Sequence, residues 1–165
     1  MNYIFLDIDG VMNNKIDWIS KVNNKGEIFK GHRMFCDKAW QMLSDVCKET
    51  GARIILSSSW RLGLKDYVNN RYSEYTLQGR LLQYFDKYNI PLVGLTTDRY
   101  DKRGEQILEY ITNNLNGLTD AWVVLDDELF DMKDILSMDH VFKTEFETGL
   151  QQEHCKGIID YFNNH

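Results

Sequence analysis

The chain has 165 residues, 43% hydrophobic and 27% charged, which suits one domain with a substantial core and excludes a disordered or fibrous polymer. A formal net charge of -6 excludes a protein that coats nucleic acid electrostatically, so any nucleic-acid contact has to be local. Cys36, Cys47 and Cys155 are odd in number, widely spaced and without a CxxC pair, which points to core thiols rather than a disulfide framework or zinc site.

In chain order, the first segment is MNYIFLDIDG, with acids at positions 7 and 9 and no basic leader region. No apolar stretch approaches the roughly 18 residues of a membrane span, so neither export nor membrane insertion is expected, and a cytoplasmic location is. YIFL at 3 to 6 reads as a buried strand. Residues 12 to 35 are polar and rich in Asn, Lys and Gly, with Ile16, Trp18, Ile19 and Ile28 scattered among them, and they read as a flap or small hairpin.

A helix comes next, because Cys36, Ala39, Trp40, Leu43, Val46 and Cys47 share one face and Gly51 stands where a left-handed C-terminal residue belongs. ARIIL at 52 to 56 reads as the second strand, and Leu77, Leu81, Tyr84, Phe85 and Tyr88 repeat the helical spacing. PLVGL at 91 to 95 is the third strand, with Pro91 expected as its first residue. Ile107, Leu108, Ile111 and Leu115 predict another helix, AWVVL at 121 to 125 and HVF at 140 to 142 two more strands, and Cys155, Ile158, Ile159 and Phe162 a last helix.

Five short, continuous, apolar runs of this kind suit strands buried on both sides. The expectation is one α/β domain over residues 1 to 165: an open, Rossmann-like, parallel five-stranded sheet with right-handed crossovers and helices on both faces. Neither the 12 to 35 nor the 61 to 101 segment is long enough for a large cap domain.

Ligands bind at the carboxyl ends of such strands, and here the residues just after the apolar runs are polar. Asp7-Ile8-Asp9-Gly10 stands after the first, Ser57-Ser58-Ser59-Trp60-Arg61 after the second and Asp126-Asp127-Glu128 after the fourth, while Asp101-Lys102-Arg103-Gly104 opens the helix before the fourth. Asp7, Asp9, Asp126 and Asp127 on one sheet edge would repel one another unless a cation neutralised them, and an all-oxygen set beside phosphate suits magnesium. Serine hydroxyls and backbone N–H groups at a strand-to-helix turn can cradle a phosphate, and Lys102 or Arg103 can oppose its charge. Each feature also has an ordinary reading: Ser59 as a helix cap and Trp60 as packing, while Arg61, Lys65, Arg71 and Arg80 can flank the site but read more readily as solvated helix faces, and Asp131 can lie near it but reads more readily as a solvated helix residue.

In combination and in order, IFLDIDGV, IILSSSWR, the KRG segment and VVLDDE resemble the four motifs of the haloacid dehalogenase (HAD) superfamily. The LSSSWR form, with VFKTEFETGL at 141 to 150, is similar to the small HAD domains of Swiss-army-knife RNA-repair proteins. The resemblance implies a magnesium-dependent phosphatase in which Asp7 is the nucleophile and Asp9 the acid and base. It also implies that Gly10, Ser57, Ser58 and Lys102 or Arg103 contact the substrate phosphate, and that Asp126 or Asp127 completes the metal site near the Ile8 carbonyl. KRG departs from the Lys-Pro pair of many relatives, which leaves open which cation serves.

An uncapped site suits a phosphorylated nucleic-acid end or a nucleotide. The competing readings are a phosphate-accepting signalling domain and a catalytically silent binding domain. Oligomeric state is not legible in the sequence.

Overall fold

The computed structural model of the protein describes residues 1–15, 35–64 and 76–165. The five apolar runs are strands of one parallel sheet: β1 (Asn2–Leu6), β2 (Arg53–Leu56), β3 (Leu92–Leu95), β4 (Ala121–Asp126) and β5 (Val141–Lys143), in the order β3-β2-β1-β4-β5. β1 lies at the centre, paired with β2 from Tyr3 to Leu6 and with β4 from Asn2 to Leu6. The strand order reverses between β1 and β4, which opens a crevice at their carboxyl ends.

Successive residues point to opposite faces, and both faces are covered at β1, β2 and β4, whereas the edge strands β3 and β5 are only partly buried, contrary to the expectation of five buried strands. Ile4, Leu6, Ile54, Leu56, Val123 and Leu125 pack with helices α1 (Asp37–Thr50), α2 (Leu77–Lys87) and, after β5, α5 (Gln152–Asn164). Tyr3, Phe5, Ile55 and Val124 pack with α3 (Arg103–Asn114) and the short α4 (Met132–Ile135). This is why β1 reads as an unbroken apolar run: Ile4, Phe5 and Leu6 have no exposed surface, and each such side chain contributes roughly 1.5–3 kcal/mol on burial. The described residues include no large cap.

Gly51 ends α1 at φ +68°, as its position predicts. Leu77 and Leu108 are exposed, contrary to the periodic reading: Leu77 opens α2, and Leu108 sits one position round from the buried Ile107. Leu115 caps α3 rather than continuing it. Pro91 stands just before β3, and its carbonyl accepts the Ile54 N–H at 2.8 Å, so it joins the ladder without needing a donor.

None of the three cysteines is in a disulfide, with Cys47 and Cys155 buried and Cys36 half-buried. Burial pushes the Cys47 thiol up to about 12 and the Cys155 thiol up to about 11, so both are inert core groups. Apart from residues 12–15 and 35, the expected flap lies outside the described residues, as do Lys65 and Arg71.

Candidate active site

The sheet ladder continues one residue past three strand ends, and this registers the polar segments against one another. The Asp7 N–H donates to the Leu125 carbonyl, the Ser57 N–H to the Leu6 carbonyl and the Thr144 N–H to the Asp126 carbonyl, each at 2.9 Å. Asp7 and Asp126 therefore stand side by side at the crevice, 6% and 1% exposed.

Arg103 reaches both from the first turn of α3. Its Nη1 donates to Asp7 Oδ1 at 3.1 Å and to Asp126 Oδ2 at 2.6 Å. Lys102, one residue earlier, is the extended N-cap and points outward, 62% exposed, 3.8 Å from Glu105. Helix phase thus puts Arg103, and not Lys102, at the carboxylates. The start of α3 is held by Asp131, whose Oδ1 accepts the Gly104 N–H at 2.9 Å. Asp131 is accordingly not the solvated helix residue expected, because it supplies the cap that α3's own sequence lacks.

One guanidinium faces more than one negative charge. Oxygens of Asp7, Asp126 and Asp127 lie within 4.8 Å of one another. Burial raises the Asp7 pKa, against the pull of Arg103 and a hydrogen bond from Ser58. Burial and the neighbouring Asp7 push Asp126 up to about 7, and the same two causes push Asp127 up to about 6. This oxygen-only, charge-deficient set fits a hard divalent cation.

Asp126 has both oxygens engaged, one by Arg103 and the other by the Glu128 N–H at 3.0 Å. The Ile8 carbonyl accepts from the N–H groups of Val11, Met12 and Asn13, so it faces its own loop. Gly10 allows Asp127 to close on that loop, since at φ +71° a Cβ there would lie 2.1 Å from Asp127 Oδ2. Its N–H is satisfied by Asn13 at 3.1 Å and its carbonyl by the Thr144 hydroxyl at 2.8 Å, so Gly10 shapes the loop.

The raised carboxylates give a signed pH dependence. Because Asp126 and Asp127 titrate at about 7 and about 6 when folded and near 3.8 when unfolded, the folded state holds protons more tightly between those values. Stability of the metal-free protein is therefore lost as pH rises through that window. A divalent cation held by this set would compete with those protons, so thermal stabilisation by magnesium should be clearly larger at about pH 8 than at about pH 5. Thermal melts with and without the metal check this, and equal shifts would contradict it.

On the β2 side, Ser57 is wholly buried and its hydroxyl has no partner among the described residues. Ser58, not Ser59, caps the short 3-10 turn Ser59–Gly63, its Oγ accepting the Trp60 N–H at 3.4 Å. Arg61 overturns the expectation of a solvated cation, being only 4% exposed. It donates to the carbonyls of Ser57 (3.1 Å), Ser58 (2.8 Å), Thr96 (3.2 Å) and Thr97 (3.0 Å) and to Gln106 Oε1 (2.8 Å). It thereby clamps the serine turn to the end of β3 and to α3. Arg61→Ala removes this guanidinium from acceptors that are mostly buried, of which the Ser58 carbonyl keeps the residue 61 backbone N–H, and is expected to cost about 3 kcal/mol, read as a fall in denaturant midpoint. Arg80→Ala, on the half-exposed face of α2, should cost under about 0.5 kcal/mol.

Asp9 lies at the rim of the buried cluster, near enough for its charge to act on Asp7 and Asp127. It is exposed, and its carboxylate accepts from Trp60 Nε1 at 2.9 Å and from Asn13 Nδ2 at 2.8 Å. The segment after β5 braces this loop from behind, through the Thr144 hydroxyl and through the Leu150 N–H, which donates to the Val11 carbonyl at 2.9 Å. A cavity of about 330 Å³ opens beside Arg103, lined among others by Ser59, Arg61, Tyr100 and Phe130.

The structure brings together Asp7, Ser58, Arg103, Asp126 and Asp127, holds Asp9 at the rim, and leaves Lys102 outside. Sequence reasoning does not single out Asn13, Trp60 or Thr144 as site residues, and it sets Arg61 and Asp131 beside the site only as the lesser alternative to a solvated reading. For Arg61 and Trp60 the available signal is their place directly after the serine run, and for Thr144 its place in the resembling 141 to 150 segment.

No curated protein and no solved structure matches the chain. The family model described as "HAD domain in Swiss Army Knife RNA repair proteins" matches residues 3–155, a span that takes in all four motif segments and the brace after β5. The chain belongs to that family of HAD domains.

Proposed function

We propose that the protein is a magnesium-dependent phosphatase that works through an aspartyl-phosphate on Asp7. The observation that carries this reading is the contrast between two aspartates two residues apart. Asp7 is buried against Arg103, where a nucleophile must meet phosphorus, and Asp9 is exposed at the rim and held there by Trp60, where an acid must meet a leaving group.

In the first step a carboxylate oxygen of Asp7 bonds to phosphorus as the ester P–O bond breaks, and Asp9 gives its proton to the departing oxygen. In the second, Asp9 takes a proton from water as the water oxygen bonds to phosphorus and the P–O bond to Asp7 breaks. Inorganic phosphate leaves and the Asp7 carboxylate is restored. Arg103 and the Ser57–Ser58 turn supply positive charge and donors for the equatorial oxygens, and the orphaned Ser57 hydroxyl gains a partner when phosphate is present. Asp7, Asp127 and Asp126 would hold magnesium, which would supply charge stabilisation to the transferring group.

The substrate we propose is a phosphorylated nucleic-acid end or a nucleotide, acted on in a reducing, cytoplasmic setting that suits three cysteines outside any disulfide. The family description and the open cavity with Tyr100 and Phe130 at its wall support this substrate class. Among the described residues no helix is long and apolar enough to cross a membrane.

Phosphate release from para-nitrophenyl phosphate, nucleotides, sugar phosphates and 5′- or 3′-phosphorylated oligonucleotides, with and without magnesium, tests the reading. Magnesium-dependent release, fastest on the nucleotide or oligonucleotide substrates, is the expected result. No release from any of them would favour the signalling or silent alternatives.

A further inference from the structure

We infer that Trp60 is a positioning residue that locks Asp9 as the leaving-group acid, and that the site is thereby matched to phosphate esters of poorly departing alcohols such as sugar hydroxyls. This rests on the phosphatase reading and deepens it.

An exposed aspartate ordinarily samples several rotamers, which makes it an ineffective acid. Here each carboxylate oxygen has its own donor: Trp60 Nε1 on Oδ2 at 2.9 Å and Asn13 Nδ2 on Oδ1 at 2.8 Å. Both donors are themselves fixed. Asn13 Oδ1 accepts the Gly10 N–H at 3.1 Å, which ties the amide to its own loop. The Trp60 N–H is capped by Ser58, and its ring packs 5.4 Å from that of Phe35, which is 2% exposed and lies against Trp40 and Tyr84. Residues 58 to 60 therefore hold the acid in register with the serine turn, across two separate strand ends.

The donor chemistry suits the task. An indole N–H donates and never accepts or exchanges in this range, so it orients Asp9 without competing for the transferred proton. A carboxylate offers about four lone-pair sites, so two donors leave room for the proton and for a water. Trp40 differs within the same fold: it is wholly buried in the aromatic cluster and its Nε1 has no partner among the described residues. A tightly held acid matters where the leaving oxygen needs a proton. An alkoxide does, whereas para-nitrophenolate departs readily without one.

The test compares kcat/KM of wild type and Trp60→Phe, with magnesium, on glycerol phosphate and on para-nitrophenyl phosphate. The phenyl ring keeps the contact with Phe35 and removes only the donor. The expected result is a fall of about tenfold or more on glycerol phosphate and a change within about twofold on para-nitrophenyl phosphate. Equal falls on both substrates, or no fall on either, would overturn the inference. Trp60→Met, which is apolar and also lacks the donor, should show the same selectivity, which keeps the test decisive if Trp60→Phe fails to fold. Wild-type protein inert toward both substrates would instead count against the phosphatase reading itself.

Discussion

Asp7→Asn is expected to fold normally and to lose phosphatase turnover by about 10⁴-fold or more in kcat/KM, a loss on the order of 5 kcal/mol of transition-state stabilisation. The amide is nearly isosteric but cannot form the acyl-phosphate bond. Its effect on the fold should be opposite in sign to its effect on activity. Asp7 is buried, its pKa is raised, and its charge in turn pushes up Asp126 and Asp127, so neutralising it removes repulsion from the crevice. A melting temperature equal to or above that of wild type at about pH 8, together with lost turnover, would separate chemistry from misfolding.

Arg103→Met should damage both. The change leaves Asp7 and Asp126 buried without the guanidinium that touches them at 3.1 and 2.6 Å, and breaking such a pair from one side costs about 3–5 kcal/mol. Both carboxyls can escape part of that cost by protonation, so the loss of stability should be smaller at about pH 5 than at about pH 8. Turnover should fall by about 10²- to 10³-fold, because a fixed positive charge facing the phosphoryl oxygens is gone. Lys102→Ala is the matched control: its ammonium is exposed, 3.8 Å from Glu105, and its loss should change stability by less than about 0.5 kcal/mol. Denaturant melts and steady-state kinetics on the pair of variants check both statements.

The contrast between these neighbours shows where the sequence is informative and where it is not. The strands are legible because burial on both faces leaves continuous apolar runs, as in β1 and β4, and the acids because they stand directly after those runs. Choosing between Lys102 and Arg103 requires the phase of α3 to within one residue, which the KRG run does not encode.

Arg61 reads as solvated in the sequence because cations usually are. Its burial is set by acceptors from Ser57, Thr96 and Gln106, which only the folded sheet brings together. Asp131 and Thr144 are illegible for the same reason: one caps a helix and the other braces a loop, each from far along the chain. Trp60 shows the limit of composition alone, since nothing in the letters says where an indole N–H points.

The central claim is that the phosphoryl group passes through Asp7, and Asp9→Asn allows this to be seen directly. With para-nitrophenyl phosphate the first step needs no acid, while the second lacks its base, so the intermediate should accumulate. We would mix Asp9→Asn with this substrate and magnesium, quench in acid, and measure the masses of the proteolytic peptides. The account expects a burst of one nitrophenolate per enzyme molecule and a single phosphoryl group on the peptide that carries Asp7. A phosphoryl group on any other residue, or no burst and no adduct while the wild type turns over, would contradict it.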